Sequence, residues 1–570
     1  MKEPLTAVQE KGLWLPKRKT VTTRTKQMED KMAINESTYT IERKGMMEAV
    51  LGKTDHQLFW ITLIIFGIIV ALGITTPEKL ASALKTAQSF ITTNFTWYYL
   101  LFTASCLGFS LWAAIGPYAR VKLGKDNDEP EFSTLSWVAM LFSAGIGLGF
   151  IFWGIAEPLY HYMQTPYGAE SGSAEAVIVA LQISYLHWGF HPWSLYAVGG
   201  LGIAYFSFRH EQPMTIATSL YGILGKETEK SVWSKITNLV TAFATIAGIS
   251  TALGLGILSI KFGMTHITGI EMTPGVTFVV LILFMAAYIA SSVSGLQRGL
   301  KYMSIINIWL AFGVIIYIFL AGPTLQLLDL FPDSVGHYLT NFVKMTFWSD
   351  PLHQAFDGKW LGWWTVFYWA FWIAWVPFVG GFIARISKGR TIREFIVWVV
   401  LIPSIVMFVC FDIFGGAAIL AERSGSVKLW EAVQADMGSG IFMLLTAYPF
   451  GFLGSIAIFI SLIIFLITSA DSASFLVAML MSKGELEPKT GMKIVWGIVL
   501  GALSLILLQT DGLKALQTAS IVCALPFTVV MIAMMVSLVK GLRKDVSERE
   551  LSGDNATRTV VADELLEAQN

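Results

Sequence analysis

Twelve long apolar runs dominate this sequence and restrict the folds that it can adopt. A bilayer core about 30 Å thick is crossed by roughly 20 apolar residues of helix. The runs are continuous and do not alternate like barrel strands, so helices are favoured, because a helix satisfies its own backbone hydrogen bonds in lipid. The sequence therefore predicts an all-α polytopic membrane protein with 12 transmembrane helices. Their approximate bounds are 57–76, 96–115, 135–155, 175–207, 236–260, 274–293, 303–322, 361–384, 395–420, 440–478, 492–509 and 517–539.

Composition agrees with a membrane protein and argues against other classes. Of 570 residues, 54% are hydrophobic and 14% are charged, whereas a soluble chain carries about a quarter charged residues. The 40 basic and 40 acidic residues cancel, so no excess of charge suggests a nucleic-acid partner. Residues 1–53 are polar and lack the apolar core of a cleavable signal peptide. The three cysteines lie in apolar runs, which is typical of buried thiols and not of disulfides.

The distribution of Lys and Arg predicts the orientation in the membrane. If both termini are cytoplasmic, the cytoplasmic loops hold twice as many basic residues as the outer loops. Positively charged loops stay on the cytoplasmic side, so this bias favours N-in, C-in topology. The segment 324–347 mixes apolar and polar residues at helical spacing, and we expect an amphipathic helix on the outer surface there.

Two predicted spans contain residues that interrupt helices. The third carries Gly145-Ile146-Gly147-Leu148-Gly149, and the eighth carries Trp375-Val376-Pro377-Phe378-Val379-Gly380-Gly381. Interrupted spans at corresponding positions of two repeats mark the binding site of many transporters. The two lie five helices apart, so spans 3–7 and 8–12 are candidates for inverted repeats. The alternative for the first motif is a close helix-packing contact.

Aromatic side chains cluster beside these motifs. At 100° per residue, three rings of the fourth span fall within about 140° of one another, and two rings of the eighth span are three residues apart. Interfacial belts of Trp explain residues 360–364 but not clusters near mid-span. An aromatic cage could hold a quaternary ammonium through cation–π attraction, and ordinary core packing is the alternative. The five rings are Trp188, Trp193, Tyr196, Trp372 and Trp375.

Hydroxyl groups in the apolar runs are candidate sodium ligands. Thr468 and Ser469 lie in the tenth span, and Ser143 precedes the first glycine motif. Each hydroxyl could instead bond to the carbonyl four residues earlier in its own helix.

Ionisable residues in the predicted spans have no assigned role from spacing alone. We interpret His187 and His191 as helix-packing residues. Glu157, Asp412 and Asp471 stay unassigned, although buried charges in membranes are often functional.

Several segments together resemble the betaine/choline/carnitine transporter family. They are GIGLGFIFWGIAEPLYHY (145–162), HWGFHPWSLY (187–196), SSVSGLQRGLKYMS (291–304), WTVFYWAFWIAWVPFVGGFIARISKGRTIREF (364–395) and TSADSAS (468–474). The resemblance implies LeuT-type inverted five-helix repeats preceded by two extra helices, usually in a homotrimer. The implied units are a cytoplasmic tail (1–55), two peripheral helices (56–135), a first repeat (136–322), an outer amphipathic helix and loop (323–358), a second repeat (359–540) and a cytoplasmic C-terminal tail (541–570).

The resemblance also implies site residues. The implied aromatic box is Trp188, Trp193, Tyr196 and Trp372, with Trp375, Phe371, Gly145, Gly147 and Gly149 as further substrate-binding positions. The implied main sodium site is Ser143, Ile146, Phe465, Thr468 and Ser469. A possible second sodium site includes Thr245 and Phe378, but Ile249 stands where a second hydroxyl is expected. Phe371 replaces a usual Trp.

Two further positions narrow the function that the resemblance implies. Gly149 occupies a position where proton-coupled choline carriers tend to have Asp, which favours a zwitterionic solute. No Lys or Arg occurs between Leu239 and Ile260, where sodium-independent antiporters place an arginine, which favours sodium coupling.

We therefore expect a sodium-coupled symporter of a compatible solute in a prokaryotic inner membrane. Glycine betaine is the first candidate, and dimethylsulfoniopropionate, ectoine or proline follow. A proton-coupled or exchanging choline or carnitine carrier is the alternative, and an ion channel is a different class. We expect no enzymatic activity and no cofactor besides the coupling ion, because no nucleophile–base pair or metal-ligand cluster has a plausible spacing.

Overall fold

In a computed structural model of the chain, the described residues are 45, 47–145, 148–294, 297–485 and 487–567, without the side chains at 142–148, 293–301 and 548–567. Residues 47–51 are helical and belong to a separate unit that ends at Gly52. All further description concerns residues from Lys53 onward.

The described part of the chain is all-α, as the apolar runs predicted. Its only β-type pairing is an isolated bridge between Lys122 and Thr391. A π-helix occupies Asp412–Gly416, and 3-10 turns occupy Ala217–Leu220, Gly225–Lys230 and Met437–Ser439. The α-helices are α1 (His56–Thr75), α2 (Pro77–Ile115), α3 (Thr134–Gly145), α4 (Leu148–Met163), α5 (Ala174–Trp188), α6 (Phe190–Arg209), α7 (Tyr221–Leu224), α8 (Val232–Thr268), α9 (Pro274–Ser294), α10 (Gln297–Ala321), α11 (Thr324–Phe347), α12 (Trp360–Trp363), α13 (Thr365–Arg385), α14 (Ile392–Phe411), α15 (Ala417–Ser424), α16 (Leu429–Ala435), α17 (Gly440–Leu445), α18 (Gly451–Met481) and α19 (Thr490–Glu567).

Helix length and composition confirm a multi-pass membrane protein. Nine helices within the described ranges are long and apolar enough to cross a membrane. The predicted third and fourth spans fall on pairs of shorter helices. The predicted last two spans merge in α19, which has non-helical backbone angles at Asp511 and Gly512. The number of twelve crossings therefore stays a prediction.

Burial separates a protein core from a periphery suited to lipid. In the most apolar window of α8, 89% of the residues are buried, whereas the corresponding windows of α9 and α10 are 11% and 17% buried. The apolar side chains that α9 and α10 expose would be costly in water and are accommodated by lipid tails. Helix α8 instead packs against α13, α18 and α19 in the centre.

Helix α6 packs closely on α13 because glycines line the contact. A Cβ atom on Gly199 would lie 2.3 Å from Cγ1 of Val376, and one on Gly380 would lie 3.0 Å from the backbone nitrogen of Gly200. Small residues let two backbones approach in this way. The contact places the aromatic residues of both helices in the same layer of the protein.

The predicted interruption of the eighth span is wrong. Helix α13 continues through Pro377, Gly380 and Gly381 to Arg385. A proline removes one backbone hydrogen bond from a helix. The helix is packed against α6, α8 and α19, and protein that covers the freed backbone group allows such a proline to be tolerated. The interruption predicted in the third span lies at 146–147, outside the described residues, and stays a prediction.

The fourth span is interrupted at a position that the sequence analysis did not select. Helix α5 ends at Trp188 and α6 begins at Phe190, with Gly189 between them at φ −97° and ψ −129°. A Cβ atom on Gly189 would lie 2.5 Å from Cε1 of Phe408. Glycine is therefore the residue that fits this close contact with Phe408. Because Gly189 has non-helical backbone angles, Trp188 is not in helical register with the residues of α6.

The amphipathic segment 324–347 forms helix α11, as predicted. It buries Leu327 and Tyr338 and exposes Leu325 and Val343. The Tyr338 ring packs 5.1 Å from the ring of Phe408. Helix α11 packs mainly on α5 and leaves an apolar stripe uncovered.

Candidate functional site

A cavity of about 780 Å³ lies in the centre of the helix bundle. This volume falls within the roughly 300–1,000 Å³ that is common for small-molecule sites. Its wall combines rings with hydroxyl-bearing side chains from several helices. The predicted site residues that line it are Gly149, Trp188, Tyr196, Thr245, Phe371, Trp372, Trp375, Phe378, Phe465, Thr468 and Ser469.

Three of the predicted box residues form one cluster of rings at this cavity. The Trp188 and Trp372 ring centroids lie 5.0 Å apart at an interplanar angle of 89°. The Tyr196 and Trp372 centroids lie 5.6 Å apart at 80°. Such edge-to-face pairs turn ring faces in different directions around a common space. We call Trp188, Tyr196 and Trp372 the cage.

Trp193 does not line the cavity among the described residues, so its place in the aromatic box stays a prediction. Its ring lies 5.6 Å from the ring of Tyr196, at 82°. The predicted common face assumed an unbroken helix from Trp188 to Tyr196. Because Gly189 departs from helical backbone angles, Trp188 and Trp193 do not share one continuous helical face.

Phenylalanines that the sequence analysis missed extend the ring cluster. The Trp188 ring lies 5.3 Å from Phe411 and 6.1 Å from Phe150. Phe150 also lies 5.2 Å from Phe414 and lines the cavity with it. Both Phe411 and Phe414 flank the start of the π-helix. No sequence signal distinguished them from ordinary core phenylalanines.

Three residues of the predicted main sodium site are described, and all line the cavity. They are Phe465, Thr468 and Ser469 on α18. The Thr468 hydroxyl donates to the Ile464 carbonyl at 2.9 Å, as the alternative interpretation expected. A hydroxyl that donates in this way keeps its lone pairs for a cation. The side chain of Ser143 and the whole of Ile146 lie outside the described part of the structure.

Helix α8 brings unpaired hydroxyl groups to the same cavity. Thr241 and Thr245 are buried, line the cavity and have no hydrogen-bond partner among the described residues. Ile249 continues this face one turn later. A buried hydroxyl without a partner costs free energy unless a ligand or water satisfies it. Thr245 and Phe378 both line the cavity, as a second ion site would need.

A buried carboxylate anchors the cage from behind. Glu157 on α4 is fully buried and accepts hydrogen bonds from Trp188 Nε1 at 2.7 Å and from the Tyr368 hydroxyl. His187 Nδ1 lies 2.7 Å from the same carboxylate. Trp372 Nε1 donates to the His187 carbonyl at 2.8 Å. Two cage rings are therefore held by one polar cluster, for which an acid next to the end of the predicted third span was the available signal.

The histidines of the fourth span pack between helices, as predicted. His187 Nε2 lies 2.9 Å from the Thr365 hydroxyl on α13. His191 Nε2 lies 3.1 Å from the Thr346 hydroxyl on α11.

The cavity extends to one end of the bundle and is covered at the other. It reaches Arg385, Glu487 and Lys493, which lie at or next to loops with the higher predicted cytoplasmic charge. On the opposite side of the cage, Tyr368, Trp360 and His161 are all buried. Among the described residues, the cavity therefore extends from the cage toward the end that carries Arg385 and Lys493. The predicted substrate-binding positions Gly145 and Gly147 fall outside the residues whose surroundings the structure describes.

Comparison with known proteins agrees with this architecture. A family model described as BCCT, betaine/carnitine/choline family transporter, matches residues 57–547. The glycine betaine transporter OpuD of Bacillus subtilis is 40% identical, over 87% of this chain and 96% of its own. A probable glycine betaine transporter of Desulfitobacterium hafniense is 38% identical, over 88% and 100%.

One further relative and one solved structure have names that describe other substrates. The ectoine/hydroxyectoine transporter of Virgibacillus pantothenticus is 36% identical, over 87% of this chain and 98% of its own. A solved manganese transporter of Eremococcus coleocola covers 73% of this chain and 82% of its own, with 13% identity and a TM-score of 0.41.

Proposed function

We propose, from the premise that the chain belongs to the betaine/carnitine/choline family of transporters, that it is a sodium-coupled symporter of a zwitterionic onium solute. Glycine betaine is the solute that we favour, because two relatives at 40% and 38% identity carry that substrate in their names. The proposal includes alternating access and a prokaryotic cell membrane, with both termini cytoplasmic.

The observation that carries the proposal is the convergence of three large rings on one cavity. Trp188 and Tyr196 each lie edge-to-face with Trp372, at 5.0 and 5.6 Å. Each ring face attracts a methylated ammonium by about 0.5–2 kcal/mol. A cage of this kind holds an onium head without a carboxylate in direct contact. An ion-selective pore has no need of such a group, so the cage favours a carrier over a channel.

The surroundings of Gly149 favour a zwitterion over a net cation. A Cβ atom on Gly149 would lie 3.7 Å from Cη2 of Trp188 and 3.9 Å from Cζ of Phe371. The position is therefore beside the cage, yet a glycine offers no negative charge there. A choline-type cation would lack the counter-charge that a zwitterion carries within itself. A choline carrier is consequently less favoured, whereas a carrier of carnitine, which is itself a zwitterion, stays the alternative.

Sodium coupling is supported by hydroxyls that share the cavity with the cage. Thr468 and Ser469 line it from α18, and Thr245 lines it from α8. Hydroxyl oxygens and backbone carbonyls can replace the water around a small cation. A sodium ion between α18 and the third span would tie two helices together and stabilise the solute-binding form. Thr245 and Phe378 are candidates for a second ion.

Alternating access is supported by the asymmetry of the cavity. It extends to Arg385 and Lys493 and is covered beyond the cage by buried side chains that include Trp360. This arrangement is what the cytoplasm-facing form of an alternating carrier requires. In the outward-facing form, the side chains that cover the cage near Trp360 would move apart, and the cavity would close at the end that carries Arg385 and Lys493.

The proposal also includes assembly of the protein into a homotrimer. The exposed side chains of Leu325, Leu339 and Val343 on α11 form an apolar surface suited to a second copy of the chain. Light scattering of the detergent-solubilised protein, corrected for bound detergent, would distinguish a trimer from a monomer.

The test is uptake into proteoliposomes. We expect labelled glycine betaine to accumulate under an inward sodium gradient and not under an equal potassium gradient. Unlabelled ectoine, choline and carnitine serve as competitors. Ectoine is included because one relative is named an ectoine/hydroxyectoine transporter. Uptake that is independent of sodium, or stronger competition by choline than by betaine, would contradict the proposal.

A further inference from the structure

The cluster behind the cage contains a carboxylate with more donors than packing requires. Glu157 is fully buried and does not line the cavity. Its Oε2 accepts from Trp188 Nε1 at 2.7 Å and from the Tyr368 hydroxyl. Its Oε1 lies 2.7 Å from His187 Nδ1 and 3.4 Å from His161 Nε2. Four groups thus converge on one carboxyl group.

The cluster accommodates an ionised carboxylate at Glu157. An indole nitrogen can only donate, and a tyrosine hydroxyl at an oxygen of an acid donates readily. With neutral His187 as the Nδ1–H tautomer, Nδ1 donates to Glu157, and the Thr365 hydroxyl, 2.9 Å from Nε2, donates to that nitrogen. Four hydrogen bonds then compensate the burial of the charge at Glu157.

A divalent metal is the competing occupant of this cluster. The carboxylate of Glu157 and the ring nitrogens of His161 and His187 all lie within 4.8 Å of one another. Two ligands on one tetrahedral zinc lie about 3.3 Å apart, given bonds of about 2.0 Å. The 2.7 Å between Glu157 and His187 is a hydrogen-bond distance, and the other carboxylate oxygen already serves Trp188. The geometry therefore favours hydrogen bonds over a shared metal.

The cluster fixes both tryptophans of the cage. Glu157 holds the indole N–H of Trp188, and it also holds His187, whose carbonyl accepts the indole N–H of Trp372 at 2.8 Å. The two rings are consequently locked at the right angle that separates them, 89°. A negative charge at the N–H edge also increases the electron density of an indole face, which strengthens its attraction for a cation.

We infer that Glu157 is a positioning residue that sets the affinity of the cage for an onium head group through the indole N–H of Trp188. This inference rests on the proposed function, because it assumes that an onium head occupies the cage. It goes beyond that function by assigning selectivity for positive charge to a residue that does not touch the solute. Removal of the charge at Glu157 weakens binding of the head group without removing any wall of the cavity.

The experiment compares E157Q with the unaltered protein in sodium-driven uptake of labelled glycine betaine. Glutamine keeps the size of the side chain and one acceptor oxygen but removes the charge. We expect KM for betaine to rise about tenfold, as loss of a charge-assisted hydrogen bond implies, with Vmax changed less than about twofold. E175Q is the matched control, since Glu175 is exposed at the start of α5, and we expect it to leave KM unchanged.

A double-mutant cycle separates positioning from a general structural role. W188F removes the N–H and keeps a ring at the position. If Glu157 acts through that N–H, E157Q changes KM in the W188F background by less than about twofold. A tenfold change in both backgrounds would overturn the inference. Abundance and a monodisperse elution profile of each variant in detergent establish that it is folded, and a misfolded E157Q is replaced by Y368F, which removes one donor and is expected to raise KM by a smaller factor.

Two outcomes distinguish this inference from the proposed function. If the unaltered protein transports no onium solute, the proposed function fails and the inference fails with it. If it transports betaine and E157Q has an unchanged KM, only the inference fails. Zinc found by elemental analysis of the purified protein at one equivalent, and lost in E157Q, would instead assign the cluster to a metal and overturn the inference.

Discussion

Replacement of Trp372 by leucine removes the ring that the cage shares with both of its other members. The Trp372 ring lies 5.0 Å from Trp188 and 5.6 Å from Tyr196. Loss of one cation–π contact of about 0.5–2 kcal/mol corresponds to a rise in KM of about 2- to 30-fold. The indole also donates to the His187 carbonyl at 2.8 Å, so W372L disturbs Trp188 as well, and we expect the upper part of that range.

The assay is the initial rate of sodium-driven betaine uptake as a function of betaine concentration. W372F keeps a ring and loses only the N–H, so its KM should lie between those of the unaltered protein and W372L. W309L is the matched control, because Trp309 is 72% exposed on the periphery of α10. An unchanged KM in W372L, with a folded protein, would refute the assignment of the cage as the solute site.

Three other substitutions test separate parts of the structure. In S469A we expect the sodium concentration for half-maximal uptake to rise about tenfold, because one cation ligand is lost; an unchanged sodium titration would remove Ser469 from the ion site. In W193F we expect less than a twofold change in betaine KM, since Trp193 packs against Tyr196 and does not line the cavity; an effect as large as that of W372L would show that it contacts the solute. In G222A the new Cβ atom would lie 2.1 Å from the carbonyl oxygen of Ser537, so we expect a loss of about 1–3 kcal/mol in stability, measured as a lower Tm in detergent, and an unchanged Tm would contradict this close approach.

Much of the architecture follows from one-dimensional patterns. A run of apolar residues that can cross a bilayer must become a helix in lipid, whatever its neighbours are. In the described residues each of the twelve predicted runs falls mainly on helices, although positions such as residue 189 and residues 446–450 are not helical, and the amphipathic segment 324–347 is one helix. The rings at Trp188, Tyr196 and Trp372 stood out because large aromatics are unusual near mid-span, and the structure brings these three together.

Predictions that depended on the path of a helix were less successful. The common face of Trp188 and Trp193 required an unbroken helix, and Gly189 breaks it. The interruption expected near Pro377 is absent, and the neighbouring helices pack against α13 there. Local propensity gives the cost of a glycine or proline in a helix, but the surroundings decide whether the helix bends, breaks or continues.

The sequence by itself determined that this chain is a bundle of membrane-spanning helices with aromatic and hydroxyl groups at certain heights, because hydrophobicity and spacing are local properties. Only the tertiary structure decided which of those groups face one cavity. Glu157 and Trp188 are 31 positions apart in the chain, and their hydrogen bond exists because α4 and α5 pack together. No local pattern encodes that distance, since it results from the packing of every helix around it.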